Sequence, residues 1–210
     1  MKLAGSTWGA STNTLQSSAL VLCYSVAEYC APVWSRSAHT SQVDMQLNST
    51  MRFISGTLRS TPLPWLPVLS NSEPPALRRK AATDKLVEKV VKHDSWPIQP
   101  DILSPPLLRL TSRKLLSLDL QPVDIKSRWR HNWKLAQVVN SHLLCDPTIR
   151  QPGFDLLRQR WSLLNRFRTE QRHCGMPAEG TAEGNGDIQT LTCVLVVRPK
   201  QCSTLSNPVP

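Results

Sequence analysis

The sequence predicts a mainly α fold in which several short amphipathic helices are joined by proline-rich linkers. Apolar residues recur at intervals of three and four along five stretches of the chain, which is the spacing of one helical face. No stretch before Cys174 carries the signals of a strand. Seventeen prolines in 210 residues divide the chain into short pieces, because proline is excluded from helix interiors. A long coiled coil or a large regular sheet is therefore not expected.

The first two predicted helices lie before residue 60. The first has seven apolar residues on one face, and Pro32 is expected to end it. These residues are Leu15, Ala19, Leu22, Cys23, Val26, Ala27 and Cys30. For the second helix, Ser41-Gln-Val-Asp44 predicts a capping box and Gly56 predicts the end. The apolar stripe of this helix is Val43, Leu47, Met51, Ile54 and Leu58.

A third helix is predicted to start at Pro74-Pro75, since proline fits the first helical turn. Its core face is expected to consist of four apolar residues, Leu77, Ala81, Leu86 and Val90. Prolines then recur so often that residues 96–121 are interpreted as a linker with one short helix near Leu107–Leu118.

Two basic helices are predicted after Pro122. The first has apolar residues at the helical period over five turns. They are Ile125, Trp129, Trp133, Ala136, Val139 and Leu143. The second runs from about Phe154 to Phe167, with arginines between its apolar residues. Beyond Cys174 the composition changes to Gly, Ala and Glu, and we expect residues 175–210 to form a disordered tail.

The net charge of +10 comes from the middle of the chain. Residues 76–172 hold nineteen basic and nine acidic residues, whereas the segments on either side are almost neutral. Such an excess favours a polyanionic partner, and the phosphate backbone of RNA or DNA is the expected one. The candidate contact residues are Arg78, Arg79, Lys80, Lys126, Arg128, Arg130, Lys134, Arg166 and Arg168. The alternative is that these charges only form solvated helix faces.

The sequence contains no motif of a catalytic site. A phosphate-binding glycine loop, a paired-carboxylate signature, a nucleophile elbow and a zinc-protease motif are all missing, and the five histidines are scattered singly. These observations identify no small-molecule substrate and no catalytic residue. Six cysteines without regular spacing indicate reduced thiols inside a cell, and Cys23 and Cys30 are expected to pack in the core. Apolar runs are too short for a membrane span, so no membrane partner is expected.

Three stretches in the first third carry a more specific signal. They are Lys2-Leu-Ala-Gly-Ser-Thr-Trp8-Gly-Ala, then Tyr24-Ser-Val-Ala-Glu28-Tyr29-Cys30-Ala-Pro32-Val-Trp34-Ser-Arg-Ser-Ala-His39-Thr, then Arg52-Phe-Ile-Ser-Gly56-Thr-Leu-Arg59-Ser-Thr-Pro62. The chain resembles non-LTR retrotransposon polyproteins of the jockey-like type, in the region just after the reverse-transcriptase palm. The resemblance continues through Leu66-Pro-Val-Leu-Ser-Asn71, Pro75-Ala-Leu-Arg78-Arg79 and Leu164-Asn165-Arg166-Phe-Arg168-Thr169-Glu-Gln. It covers about residues 2–174, and the run from Glu28 to Thr40 is its most specific part.

This resemblance implies a piece of an RNA-directed DNA polymerase that lacks the catalytic palm. In such elements a Tyr-x-Asp-Asp turn holds two Mg²⁺ ions, and this sequence has no Asp-Asp pair. The implied segments are a thumb-like helical segment at 1–60, a Pro-rich connection at 61–121 with a basic helix at about 75–95, and a basic helical segment at 122–174. Met1 would then lie inside a longer reading frame. The expected function is a non-catalytic fragment with residual RNA or DNA binding, and the alternative is a free-standing basic helical nucleic-acid-binding protein.

The tail at 175–210 is expected to be out of frame. Related elements carry a C-x-C-x7-H-x4-C cluster that suits Zn²⁺, and this chain lacks it. Codons allowed for residues 185–210, read two nucleotides out of register, spell WRHTDTDLCPCGETQTMFHIVESCP, in which the cluster reappears. We infer a frameshift between Cys174 and Asn185 and expect this chain to have neither the Mg²⁺ nor the Zn²⁺ site of the family.

Overall fold

The computed structural model describes residues 9–29, 31–35, 37–93, 95–100, 124–144 and 146–171. These ranges are mainly helical and contain no strand, so the predicted fold class is confirmed. The short helix expected near Leu107–Leu118 and the tail expected at 175–210 lie outside the described residues.

Helices of the described ranges are numbered here in chain order. They are α1 (Thr12–Ala19), α2 (Ser25–Tyr29), α3 (Ala31–Trp34), α4 (Thr40–Ser55), α5 (Trp65–Ser70), α6 (Pro75–Lys92), α7 (Ile125–Leu135) and α8 (Arg158–Arg168). A π-helical turn at Leu20–Tyr24 joins α1 to α2, and a 3-10 turn at Ser141–Leu143 follows α7.

The π-helical turn changes which residues of the first helical rod face the core. A π turn takes one residue more than an α turn, so the buried position moves along by one. Tyr24 is buried, whereas Leu22 is 65% exposed and Cys23 is also exposed. The predicted stripe is therefore wrong at Leu22, Cys23 and Val26, which are exposed, whereas Ala27 packs against a hydrophobic cluster as predicted. Cys30 lies outside the described residues.

Two predicted helix boundaries are wrong for local reasons. Pro32 is the second residue of α3, where the missing N–H costs no intrahelical hydrogen bond. The capping box does not form, because α4 begins at Thr40 and Ser41 lies inside the helix. The residue before the helix, His39, makes no side-chain cap hydrogen bond. Asp44 instead forms an ion pair with an arginine of α6.

The end of α4 at Gly56 is confirmed. Gly56 has a φ of +67°, in the left-handed region that favours glycine. A Cβ at this position would lie 2.9 Å from both Cβ and Oγ of Ser162. Leu47 and Met51 of the predicted stripe are buried, whereas Leu58, beyond the helix end, is 41% exposed.

Side chains of α8 cap the C-terminal end of α4. The last carbonyl groups of an α-helix have no partner within the helix. Here the carbonyls of residues 53–56 accept hydrogen bonds from Arg158, Ser162 and Asn165. The bonds donated by Ser162 and Asn165 are 2.6 and 2.8 Å long. The Arg158 charge also complements the negative end of the α4 dipole.

Helix α5 is buried on every side and lies between two hydrophobic clusters. Leu66 packs in the first cluster, with residues of α1 and α4. Trp65 packs in the second, where its ring centroid lies 4.9 Å from that of Trp133 on α7. This segment lies in the Pro-rich connection at 61–121, where no helix is predicted before residue 74, and Pro67 occupies the first turn of α5, where proline is tolerated.

The remaining helices are shorter than predicted or differ at single positions, and Leu77 and Val90 of the predicted α6 face are buried. On α6, Val87 is buried while the predicted Leu86 is 38% exposed. Helix α7 ends at Leu135, because Gln137 and Asn140 adopt positive φ values of 43° and 58°. Helix α8 starts at Arg158, and the turn before it contributes to a third cluster of Phe154, Trp161 and Leu164.

Packing crosses the segment boundaries predicted at 60/61 and 121/122. The first hydrophobic cluster includes Leu66 together with residues 15–54, and the second joins Trp65 and Leu77 to α7. The cap of α4 by α8 links the first and the third predicted segments. The division into segments stays a prediction.

Candidate nucleic-acid interface

The three predicted contact residues on α6 lie in intramolecular ion pairs. Arg78 pairs with Glu28 of α2, and Arg79 pairs with Asp44 of α4. The Lys80 Nζ lies 3.3 Å from a carboxylate oxygen one turn further along α6. These cations therefore have acidic partners within the protein.

Two of these arginines also lie over aromatic rings, of which Tyr24 is buried and Trp34 is half-buried. The Arg78 guanidinium lies 5.0 Å from the ring centroid of Tyr24, and that of Arg79 lies 5.4 Å from the ring of Trp34. Burial raises the pKa of Tyr24, against the opposing charge of Arg78. Burial lowers the pKa of Arg78. The hydrogen bond and the ion pair with Glu28 raise it by more than burial lowers it, so the pKa lies above its ordinary value. Arg78 and Arg79 therefore hold α6 against α2 and α4 through ion pairs, and they are not part of the candidate interface.

The two predicted arginines on α8 have different surroundings. Arg168 is 3% exposed, donates to the Pro152 carbonyl at 2.9 Å and lies 5.5 Å from the Trp161 ring centroid. It is therefore part of the packed interior. Arg166 is half-buried and lines a groove together with Arg52 of α4.

Helix α7 presents the predicted basic surface. Its N-cap residue, Asp124, accepts hydrogen bonds from the backbone N–H of the next turn, and this fixes the helix start. Trp129 and Trp133 are buried, so the opposite side faces solvent. Lys126 and Lys134 are both exposed beside this buried stripe.

The cations on α7 are mostly without acidic partners. Lys126, Arg128 and Lys134 form no ion pair with any residue that the structure describes. The Arg130 Nε lies 2.9 Å from Asp146 Oδ2, and the Arg130 side chain remains 44% exposed. Lys126, Arg130 and Lys134 are four residues apart and so lie along one side of the helix.

Asp146 fixes the position of Arg130 at the edge of an open groove. Partial burial raises the pKa of Asp146, but hydrogen bonds from Thr148 and Arg130 lower it more, so its pKa lies below the ordinary range. The groove has a volume of about 460 Å³, and Lys134 and His142 are among the residues that line it. This groove extends the basic surface beyond α7.

This arrangement is suited to holding phosphates. At a rise of about 1.5 Å per residue, the three cations from Lys126 to Lys134 span roughly 12 Å. A duplex carries about one phosphate per 1.7 Å of its axis, so several phosphates lie within reach. Among the described residues, no group of three or more His, Cys, Asp or Glu side chains could hold a metal ion. His173 and Cys174 lie outside those residues.

A second basic surface lies mostly outside the predicted contact residues. Four arginines from α4, the turn after it and α8 line one groove, and only the last of them was predicted as a contact: Arg52, Arg59, Arg158 and Arg166. Residues 1–75 are almost neutral overall, and charge counted by segment does not reveal cations that meet only after folding. A surface built by tertiary packing leaves no local signal in the sequence.

No family model, no curated protein and no solved structure matches this chain. The resemblance to retrotransposon polyproteins therefore stays a hypothesis that rests on the residues quoted above. Within the described ranges, no helix has the length and apolar character needed to cross a membrane.

Proposed function

We propose that this chain is a non-catalytic fragment of a retrotransposon RNA-directed DNA polymerase, a reverse transcriptase, that binds the RNA or DNA backbone through α7. The observation that carries the binding is the set of exposed cations on α7, of which Lys126, Arg128 and Lys134 have no acidic partner among the described residues. Charges of this kind attract phosphates through release of counterions, without any reading of base sequence.

The origin as a fragment is supported by the sequence resemblance and by an apolar face. Helices α2 and α3 and the π-helical turn before them expose five large apolar side chains, each between 65% and 88% exposed: Val21, Leu22, Val26, Tyr29 and Val33. An exposed apolar patch of this size marks a contact with another surface. In a longer polymerase, a neighbouring domain would cover this face. We place the fragment inside a cell, where its cysteines stay reduced.

The alternative function is a free-standing basic helical nucleic-acid-binding protein. It is favoured by the packing that joins all three helical segments, above all by the cap that α8 forms over α4. The two functions share the surface on α7 and differ in origin. The DNA sequence of the locus tests the inferred frameshift of the tail: it requires an extra or missing base between the codons for Cys174 and Asn185, relative to related elements, and an intact frame contradicts it.

Binding is tested with a triple variant of α7. The logarithm of the binding constant K falls as the logarithm of the salt concentration rises, and each phosphate contact contributes about 0.7 to 0.9 to the steepness of that fall. We expect the substitutions Lys126→Gln, Arg128→Gln and Lys134→Gln together to make the fall shallower by about 2 to 3. The measurement is fluorescence anisotropy of a labelled RNA or DNA strand over a range of salt concentrations.

The matched control removes three lysines from the C-terminal half of α6, Lys85, Lys89 and Lys92, which are exposed and line neither basic surface. Because both triple variants lower the net charge equally, a local site predicts a larger effect for the α7 variant. Equal losses in the two variants, or an affinity of the wild type that does not depend on salt, would contradict binding through α7.

The absence of catalysis is tested on a primed RNA template with Mg²⁺ or Mn²⁺. We expect no nucleotide incorporation above a buffer control, because the sequence has no Asp-Asp pair to hold the two ions. Incorporation above that control would refute a non-catalytic fragment.

A further inference from the structure

We propose that a second groove, formed by α4, the turn after it and α8, binds the phosphates of a single nucleic-acid strand and stacks one base against Phe53. This inference deepens the proposed function and rests on its binding part, although it concerns different residues. It does not depend on an origin in a retroelement.

The groove has a volume of about 820 Å³ and is rich in positive charge. Four of its twelve lining residues are arginines, and none of the twelve is acidic. A cleft lined by cations concentrates their positive field. The chemistry of the groove therefore favours a phosphate-bearing ligand.

The arginines differ in how firmly they are held. Arg158 is 7% exposed and donates to two carbonyls at the end of α4, so its charge is fixed in the groove wall. Arg52, on α4, is half-buried, and its Nε is buried without a hydrogen-bond partner among the described residues. Arg59 is exposed in the turn that follows Gly56. Arginine N–H groups form strong charge-assisted hydrogen bonds with phosphate oxygens.

An aromatic side chain beside these cations points to a single strand. Phe53 lines the groove, is 38% exposed, and has the Arg158 guanidinium 5.7 Å from its ring centroid. Leu58 and Leu63 line the same groove and are 41% and 55% exposed. Proteins bind single strands with cations along the backbone and aromatic rings against the bases. In a duplex the bases are paired and stacked, so none could reach Phe53.

The test measures the affinity of the full chain for a labelled oligouridine by fluorescence anisotropy over a range of salt. We expect the double variant Arg52→Gln, Arg59→Gln to make the fall of log K with log salt shallower by about 1.4, because each contact on a single strand contributes about 0.7. We expect Phe53→Leu to weaken binding at least about fivefold with little change in slope, because stacking is lost and the charges stay. The double variant Lys85→Gln, Lys89→Gln is the charge-matched control.

Each outcome of the test has a defined meaning. Circular dichroism checks the fold of every variant, and Arg59→Gln alone, in an exposed turn, gives the result if the Arg52 change disturbs α4. Groove variants that bind like the control overturn this inference. If the α7 triple variant loses binding while the groove variants do not, the proposed function stands and this inference fails. If the wild type binds no oligonucleotide at all, both fail. Equal competition by vesicles of anionic phospholipid would also overturn a nucleic-acid site.

Discussion

Replacing Gly56 by alanine tests the junction between α4 and α8. A φ of +67° costs a non-glycine residue about 1 to 2 kcal/mol. The new Cβ would also lie 2.9 Å from two atoms of the buried Ser162, and overpacking of this kind costs about 1 to 3 kcal/mol. The sum is about 3 kcal/mol of unfolding free energy, which for a chain of this size lowers Tm by about 6 to 12 °C.

The two contributions are separated by a double-mutant cycle with Ser162→Gly. Removing the Ser162 side chain removes the steric contact but leaves the backbone strain at position 56. We therefore expect Gly56→Ala to cost about 1 to 2 kcal/mol less in the Ser162→Gly background than in the wild type. The assay is urea unfolding followed by circular dichroism at a single temperature. A Gly56→Ala variant as stable as the wild type, or an equal cost in both backgrounds, would refute the reasoning.

Two further predictions concern Arg158 and Asp146. Arg158→Met removes the donors to two carbonyls at the end of α4, one of them buried. We expect the free energy of unfolding, measured in urea, to fall by about 3 kcal/mol. A urea midpoint equal to that of the wild type would contradict the cap. The pKa of Asp146 is lowered in the folded state, so the stability it contributes is present above its unfolded pKa of about 3.9 and is lost as the pH falls through the lower folded value. The difference in urea-unfolding midpoint between the wild type and Asp146→Asn should therefore be constant above about pH 5 and shrink below about pH 4. A difference that stays the same at pH 3 would exclude this role.

Features set by local chemistry could be predicted from the sequence. Gly56 ends α4 and Pro75 starts α6 because their own backbones favour those positions. Trp129 and Trp133 are buried four residues apart, as the helical period requires.

Features set by tertiary contacts could not be predicted. The burial of α5 depends on neighbours from α1, α4 and α7, which outweigh the prolines of its sequence. Arg78 and Arg79 pair with acidic residues 50 and 35 positions away, and no local pattern indicates this. The π-helical turn at Leu20–Tyr24 shifts a face by one residue without a break in the apolar pattern. The groove beside Phe53 needs arginines from both halves of the chain.

The cap of α4 by α8 also sets a sequence of events during translation. The capped carbonyls and their donors are 104 to 110 residues apart. A ribosome that adds about 5 to 20 residues per second completes the donors roughly 5 to 20 seconds after the carbonyls. Throughout that interval the last turn of α4 has only water as a partner for these groups. A nascent chain halted before Arg158 lacks every one of these donors, so synthesis of α8 is the step that completes the end of α4.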